Sequence, residues 1–155
     1  MPDTYPIKHK EYCFSTNKSN LEQISSHLYK CDTQFSPRLS TQVNLDDYAK
    51  KIFHNAIRHE AWLDENLIGL IAIYYNIFDQ KFGYITNISI QNKHSRNQIA
   101  STLLKTAIND AKANNLKKIE LQVHKSNIPA LALYKKFSFL KANEKENILL
   151  LKKAL

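Results

Sequence analysis

The stretch from Tyr84 to Leu104 constrains the fold of this chain more than any other part. It begins as a strand with Ile88 and Ile90 at alternating positions, and a polar turn over residues 93–98 follows. A helix comes next, because apolar residues recur there at the helical period: Ile99, Leu103, Leu104, Ala107, Ile108 and Ala111. The first N–H groups of a helix have no partner inside it, and the helix dipole adds partial positive charge there. The stretch therefore predicts a phosphate-binding cradle.

This cradle resembles the pyrophosphate-binding motif of the GCN5-related N-acetyltransferase (GNAT) superfamily. In that motif Gln or Arg, two variable residues, Gly, one variable residue and then Gly or Ala precede a helix that often carries a Leu-Leu pair. The pattern falls on residues 95–100 here, with Leu103 and Leu104 as the pair. Ser95 stands where Gln or Arg is usual, and Gln98 stands where the first Gly is usual. The backbone approach to the phosphates should therefore differ in shape from that of the family.

A second segment, residues 127–139, resembles a later motif of the same family. That motif has Asn, Ala three residues on, Leu-Tyr, a basic pair and Gly-Phe. Here Asn127 begins it, Tyr134 falls on its tyrosine, and Ser138 replaces its glycine. The distance between the two motifs leaves room for one helix and one strand, and the resemblance covers roughly residues 45–155.

The resemblance implies a GNAT-type acyl-CoA acyltransferase fold of the α/β (α+β) class. We expect one domain over residues 1–155, with a polar leader at 1–9, because 155 residues suffice for a single core. The expected sheet is mixed, mostly antiparallel and twisted, with six or seven strands flanked by four helices in the order β-α-α-β-β-β-α-β-α-β-β. Residues 11–14 and 137–141 are predicted as strands, and Ser19 and Glu22 have the spacing of a helical capping box.

The resemblance further implies acetyl-CoA, bound where the strand before the cradle helix separates from the next strand. Backbone groups of the first strand would contact the pantetheine arm, and the cradle would hold the pyrophosphate. The cofactor-binding residues implied are Ile88, Ser89, Ile90, Ser95, Arg96, Asn97, Gln98, Ile99, Ala100, Ser101, Asn127, Ala130 and Tyr134.

The implied reaction is attack of a neutral amine on a thioester, with a proton for the departing thiolate. Tyr134 matches the general acid of the family. A phenol of pKa about 10 is a weaker acid than a thiol of about 8.5, so we expect partial donation, since full transfer is uphill by roughly 2 kcal/mol. An alkyl amine of pKa about 10.4 is neutral in about one molecule in a few thousand at pH 7. Glu60, Asp79 or a water held by Thr86 and Asn87 could act as the base, and Glu60 is the residue that we assign to that role.

Charge is distributed unevenly along the chain. Residues 1–90 carry nine Lys and Arg against ten Asp and Glu, whereas residues 91–155 carry 13 against 4. The basic half should attract a polyanionic nucleotide such as coenzyme A, and the other half should tolerate a cationic small-molecule amine. Amino acids, amino sugars, polyamines and protein amino termini all remain open as acceptors. The residues predicted to line the acceptor pocket are Phe35, Arg38, Tyr74, Tyr75 and Asn87.

Other features narrow the classes of function. Cys13 and Cys31 have no metal-type or redox spacing and no two histidines stand at i, i+4, so no metal is predicted. The sequence shows neither a secretory signal nor a membrane-spanning run, which predicts a cytoplasmic protein, and both a monomer and a homodimer remain open. Two alternatives remain: an acyl-CoA sensor without catalysis, because Gln98 and Ser138 replace glycines, and a basic nucleic-acid-binding module. The second is disfavoured because aromatic residues are not interleaved with the basic cluster.

Overall fold

The computed structural model describes residues 11–78 and 81–155, so the predicted leader at 1–9 and the candidate base Asp79 lie outside the described residues. Within these ranges seven strands and four α-helices follow the predicted order, and the fold-class prediction is confirmed. They are β1 (Tyr12–Thr16), α1 (Leu21–Cys31), α2 (Leu45–Asn55), β2 (Ile57–Leu63), β3 (Asn66–Asn76), β4 (Phe82–Ile90), α3 (Ile99–Ala113), β5 (Lys118–His124), α4 (Ile128–Lys136), β6 (Leu140–Lys145) and β7 (Ile148–Ala154).

The strands form one sheet in the order β1-β2-β3-β4-β5-β7-β6. Every neighbouring pair is antiparallel except β4 and β5, which are parallel. One core lies between the sheet and α3 with α4, and a second lies between the sheet and α1 with α2. No helix in the described part of the chain is long and apolar enough to cross a bilayer.

The two parallel strands separate halfway along their length. Pairing joins only residues 82–85 of β4 to residues 118–121 of β5, although β4 continues to Ile90 and β5 to His124. The separation begins at a β-bulge, because Ile73 opposes Ile85 and Ala72 opposes Asn87, which leaves Thr86 as an extra residue. Beyond the bulge, backbone groups of both strands face a gap in the sheet.

The bulge also exchanges the two faces of β4. Before it, Ile85 packs in the core beneath α3. After it, Asn87 lies opposite Ala72, a residue of the α1–α2 core, and the Ser89 side chain contacts His27 of α1. The side chains of Asn87 and Ser89 therefore face α1 and α2, while Ile88 and Ile90 pack on the α3 side.

Three predicted elements have boundaries that are wrong by one to four residues. Strand β1 covers Tyr12–Thr16, where residues 11–14 were predicted. The capping box of α1 is formed by Asn20 and Gln23, since Asn20 Oδ1 accepts from Gln23 N and Gln23 Oε1 from Asn20 N. Ser19 instead donates its hydroxyl proton to the Glu60 carboxylate. Strand β6 begins at Leu140 because Phe137 caps the C-terminus of α4 and Ser138 turns the chain at a φ of 66°.

Replacing Ser138 with glycine should stabilise the protein. A non-glycine residue in the left-handed region has a steric cost of about 1–2 kcal/mol, which glycine avoids. Part of this gain is offset because glycine makes the unfolded chain more flexible, so folding costs more conformational entropy. We expect the free energy of unfolding to rise by about 0.5–1 kcal/mol and the midpoint of thermal unfolding by about 2 °C. Calorimetry measures this, and Ser138→Ala is the matched control, because a stabilisation of equal size by alanine would contradict the backbone explanation.

Candidate active site

A cavity of about 780 Å³ opens where β4 and β5 separate. Residues from both faces of the sheet line it, so that the cavity passes through the gap between the strands. The α3 and α4 side contributes Ala100 and Tyr134, and the loop between α1 and α2 contributes Phe35 from the opposite side. A volume of several hundred Å³ suits a small-molecule ligand.

The cavity brings together most of the residues that the sequence predicted for the site. The predicted residues that line it are Phe35, Asn87, Ile88, Ser89, Ile90, Ser95, Arg96, Gln98, Ile99, Ala100, Ser101, Asn127, Ala130 and Tyr134. Five others lie elsewhere: Arg38, Glu60, Tyr74, Tyr75 and Asn97 do not belong to the lining.

The N-terminus of α3 supplies hydrogen-bond donors to one end of the cavity. Gln98 occupies the N-cap position but makes no side-chain hydrogen bond to the first turn, and Ile99, Ala100 and Ser101 line the cavity. The first-turn N–H groups are thus available to an anion. Arg96 and Gln98 have φ angles of 71° and 59°, so the loop takes left-handed turns without glycine. These residues fit a pyrophosphate group.

Gly69 allows α3 to approach the sheet at this point. A Cβ atom there would lie 2.9 Å from Ile90 Cδ1 and 3.1 Å from Ile99 Cγ2, distances shorter than ordinary van der Waals contact. Glycine at this position in β3 therefore fixes how closely the first turn of α3 lies to the end of β4.

Tyr134 faces the cavity from α4. Asn127 caps this helix by accepting a hydrogen bond from Ala130 N at 3.3 Å. The Tyr134 ring is 7% exposed and packs edge-on against Phe139, with ring centroids 5.7 Å apart. Burial raises the pKa of the phenol, so it keeps its proton at neutral and moderately alkaline pH. It is thus a protonated donor at the gap between the strands.

On the opposite face a hydrogen-bonded chain orders Asn87. His27 Nε2 lies 2.8 Å from Ser89 Oγ, and Ser89 Oγ donates to Asn87 Oδ1 at 2.7 Å. Because the single hydroxyl proton of Ser89 goes to Asn87, His27 is the donor to Ser89. Burial lowers the pKa of His27 to about 4, so the imidazole is neutral at pH 7. Asn87 Nδ2 is buried next to the Tyr48 hydroxyl, with which the Asn87 side chain also interacts.

Glu60 does not have the surroundings of a general base. Its side chain is 0% exposed and forms an ion pair with Arg58 Nε at 3.4 Å. The carboxylate also accepts hydrogen bonds from Lys18 N at 2.7 Å and from Ser19 N at 3.0 Å. These contacts join β2 to the start of α1, outside the cavity, so Glu60 is not placed to act as the general base that the sequence predicted.

The other proposed acceptor residues fall on different sides of the sheet. Tyr75 donates to Asp110 Oδ2 of α3 at 2.5 Å, which places its hydroxyl on the α3 face. Tyr74 packs on the α1–α2 core with its hydroxyl buried near Thr86, and Arg38 is exposed. Tyr48 donates to Thr86 O at 2.7 Å and lies 2.8 Å from Thr86 Oγ1, so Thr86 is already engaged where a water was predicted.

Sequence reasoning predicted Phe35 in the loop after α1 but missed two glutamines of that loop and the contribution of β5. Gln122 and His124 line the cavity from the end of β5 that does not pair with β4, and Gln34 and Gln42 line it from the loop. The alternation of β5 indicates that residues 122 and 124 share a face, but it does not reveal that β4 has moved away from them. Among the described lining residues none is Asp or Glu.

Comparison with known proteins gives one consistent result. The family model described as Acetyltransferase (GNAT) family matches residues 21–139. A candidate ribosomal protein bS18-alanine N-acetyltransferase of Bacillus subtilis is 28% identical over 119 residues, which cover 76% of this chain and 74% of that protein.

Solved structures share the fold. The PaiA N-acetyltransferase of Thermoplasma acidophilum, in complex with coenzyme A, superposes with a TM-score of 0.75 at 16% identity, covering 92% of this chain and 99% of that one. A GNAT family acetyltransferase of Elizabethkingia anophelis with acetyl-CoA bound gives a TM-score of 0.69 at 18% identity, covering 95% and 100%. The first of these structures contains coenzyme A and the second contains acetyl-CoA.

Proposed function

Because the chain belongs to the acetyltransferase (GNAT) family, we propose that it transfers the acetyl group of acetyl-CoA to a primary amine of a small molecule within a ternary complex. The observation that carries the proposal is the separation of β4 from β5 over a cavity that Tyr134 faces. A thioester lying in the gap would have its sulfur near the phenol and its carbonyl open to the α1–α2 face.

The residues of this chain would hold the donor in two places. The N–H groups at the start of α3 and the Arg96 side chain would bind the pyrophosphate, since both present positive charge at the same end of the cavity. The backbone edge of residues 88–90 that does not pair with β5 would bind the pantetheine arm, as a further strand of the sheet would. When bound, acetyl-CoA supplies an acyl carbon that is activated as a thioester.

The chemical step then needs little from the protein beyond orientation. The neutral amine attacks the acyl carbon, the new C–N bond forms, and the C–S bond breaks. Tyr134 would donate a hydrogen bond to the sulfur as negative charge develops there. The surplus proton of the amine leaves through water, and the thiolate takes up a proton, so that atoms and charge balance.

Consumption of the thioester tests the proposal. Purified protein is mixed with acetyl-CoA and, in separate reactions, with glucosamine, alaninamide or spermidine, and free thiol is measured with mass detection of the acetylated product. We expect one or more of the amines to be acetylated in proportion to enzyme concentration. Binding of acetyl-CoA with no product from any amine would contradict the proposal and favour the sensor alternative.

Arg96 gives a prediction specific to the cofactor end of the cavity. Loss of one charged hydrogen bond to a phosphate costs about 1.5–3 kcal/mol, so Arg96→Ala should raise the KM for acetyl-CoA by about tenfold or more. The KM for the amine should change little, because Arg96 lies at the α3 end of the cavity. Steady-state kinetics measure both values. Arg38→Ala, at an exposed residue outside the lining, is the control, and an unchanged KM in the Arg96 variant would remove this residue from the site.

A further inference from the structure

We propose that the Gln34 side chain and the pantetheine arm of the acyl donor compete for one place on β4, so that donor binding releases Gln34 and with it the loop between α1 and α2. The inference rests on the donor site of the proposed function. It adds a residue that couples this site to the acceptor side of the cavity.

The first support is the direction of the backbone groups at the end of β4. Gln91 N donates to Ile68 O of β3 at 2.9 Å, so the N–H group of residue 91 faces β3. Backbone groups of successive residues in an antiparallel strand point to opposite edges. Those of Ile90 and Asn92 therefore face the other edge, toward the gap between β4 and β5. This is the edge at which the pantetheine arm would pair.

The second support is that Gln34 already pairs with this edge. It ends the 3-10 turn Asp32–Gln34 after α1. Its carboxamide donates from Nε2 to Ile90 O at 2.6 Å and accepts at Oε1 from Asn92 N at 3.0 Å. A carbonyl only accepts and an N–H only donates, which assigns the two ends of the amide. Bonds to the groups just before and just after Gln91 are those that one residue of a parallel strand would make, so the Gln34 side chain imitates a strand on β4.

The pantetheine arm needs the same position. It carries amide groups, and as a strand-like ligand it would pair with the exposed backbone edge of residues 88–90. Ile90 O faces that edge and is bonded to Gln34, so the arm and the carboxamide cannot both lie beside it in the plane of the sheet. Gln34 lines the cavity and is partly exposed, so its side chain can leave β4 without opening the core.

Release of Gln34 changes the acceptor side of the cavity. Phe35 follows Gln34 directly and lines the cavity from the α1–α2 side. Asp32, in the same turn, accepts from Ser40 N at 2.6 Å, so the two ends of the segment 32–40 are joined. A shift of the turn is therefore passed to the rest of the loop. The acceptor would meet a loop whose position depends on whether the donor is bound.

Affinity for two ligands tests the competition. Coenzyme A has the pantetheine arm, whereas adenosine 3′,5′-bisphosphate has phosphates but no arm. In Gln34→Leu, which keeps the bulk of the side chain without the amide, calorimetry should give a Kd for coenzyme A about three- to tenfold lower than in the wild type, because two hydrogen bonds no longer have to be broken. The Kd for adenosine 3′,5′-bisphosphate should be the same in both proteins. A Kd for coenzyme A that is unchanged or higher in the variant would overturn the inference, since Gln34 would then be neutral or would hold the donor.

A neighbouring variant controls for a general effect on the loop. Thr33→Ala changes an exposed residue of the same turn outside the lining and should leave both Kd values as in the wild type. Tightening of equal size there would attribute the gain to a looser turn and contradict the competition. Thermal unfolding verifies that both variants fold.

Hydrogen exchange measures the release itself. Coenzyme A should speed exchange at residues 33–42 of the wild-type protein, and Gln34→Leu should exchange fast with or without the ligand. Slower or unchanged exchange in the wild type would rule out the release. These measurements need no acceptor, so failure to acetylate any amine while they hold would remove the proposed transfer alone. Failure of both proteins to bind coenzyme A would remove both.

Discussion

Replacing Tyr134 with phenylalanine is expected to lower kcat for acetyl transfer by about 100-fold or more, the usual contribution of a positioned proton donor. The KM for acetyl-CoA should change by less than about threefold, because the pyrophosphate end of the cavity is untouched and phenylalanine keeps the ring packing. The phenol faces the gap between β4 and β5 and has no hydrogen-bond partner among the described residues. Its loss removes the donor without leaving a buried partner unsatisfied.

The pH dependence of kcat in the wild-type protein provides a second measurement. Burial raises the pKa of Tyr134, so the acid form persists as pH rises and kcat should show no fall from its deprotonation below about pH 10. The wild-type rate should instead increase with pH as the amine loses its proton. Tyr84→Phe is the matched control, because Tyr84 is a tyrosine of β4 outside the cavity lining. A kcat in Tyr134→Phe equal to that of the wild type would show that Tyr134 is not the general acid.

The second large effect concerns stability. Changing Glu60 to glutamine should lower the free energy of unfolding by about 3–5 kcal/mol, because it leaves the buried Arg58 guanidinium without its counter-charge. Arg58 also donates to Ser19 O at 2.9 Å, and Ser19 contacts Glu60, so that the change disturbs the junction of β1, α1 and β2. For a chain of this length the thermal midpoint should fall by about 10 °C.

Two comparisons separate this structural role from catalysis. Glu144→Gln removes exposed ion pairs with Lys125 and Lys141 and should change stability by less than about 1 kcal/mol. The folded fraction of Glu60→Gln, assayed at low temperature, should keep a kcat close to that of the wild type. A normal midpoint combined with a large fall in kcat would restore Glu60 as the base.

The cradle could be predicted from sequence because its determinants are local. Helical periodicity after residue 98, the polar turn and the uncapped first turn of α3 are all properties of neighbouring residues. The same reasoning failed at Glu60, where a carboxylate on a strand looked available for chemistry. Arg58 lies two residues away on the same strand, but Lys18 and Ser19 come from the turn before α1, so only folding shows that the carboxylate is fully engaged.

The face of Asn87 shows the limit most clearly. A period of two along β4 would place residues 85 and 87 on the same side, whereas the bulge at Thr86 puts them on opposite sides. Nothing in residues 82–90 alone announces the bulge, since it arises from pairing with β3. Gly69 is a similar case, because its need for a hydrogen side chain comes from Ile90 and Ile99.

The sequence by itself determined the order of elements and the helix that follows the polar turn at residues 93–98. Those features depend on periodicity, capping and spacing, which act over a few residues. Tyr134 is identified by its resemblance to the family motif. Only the tertiary structure decided where β4 leaves β5, which side chains enter the gap and which carboxylates are consumed by ion pairs. These depend on contacts between segments far apart in the chain, whose packing selects one register and one face from several that the local pattern allows.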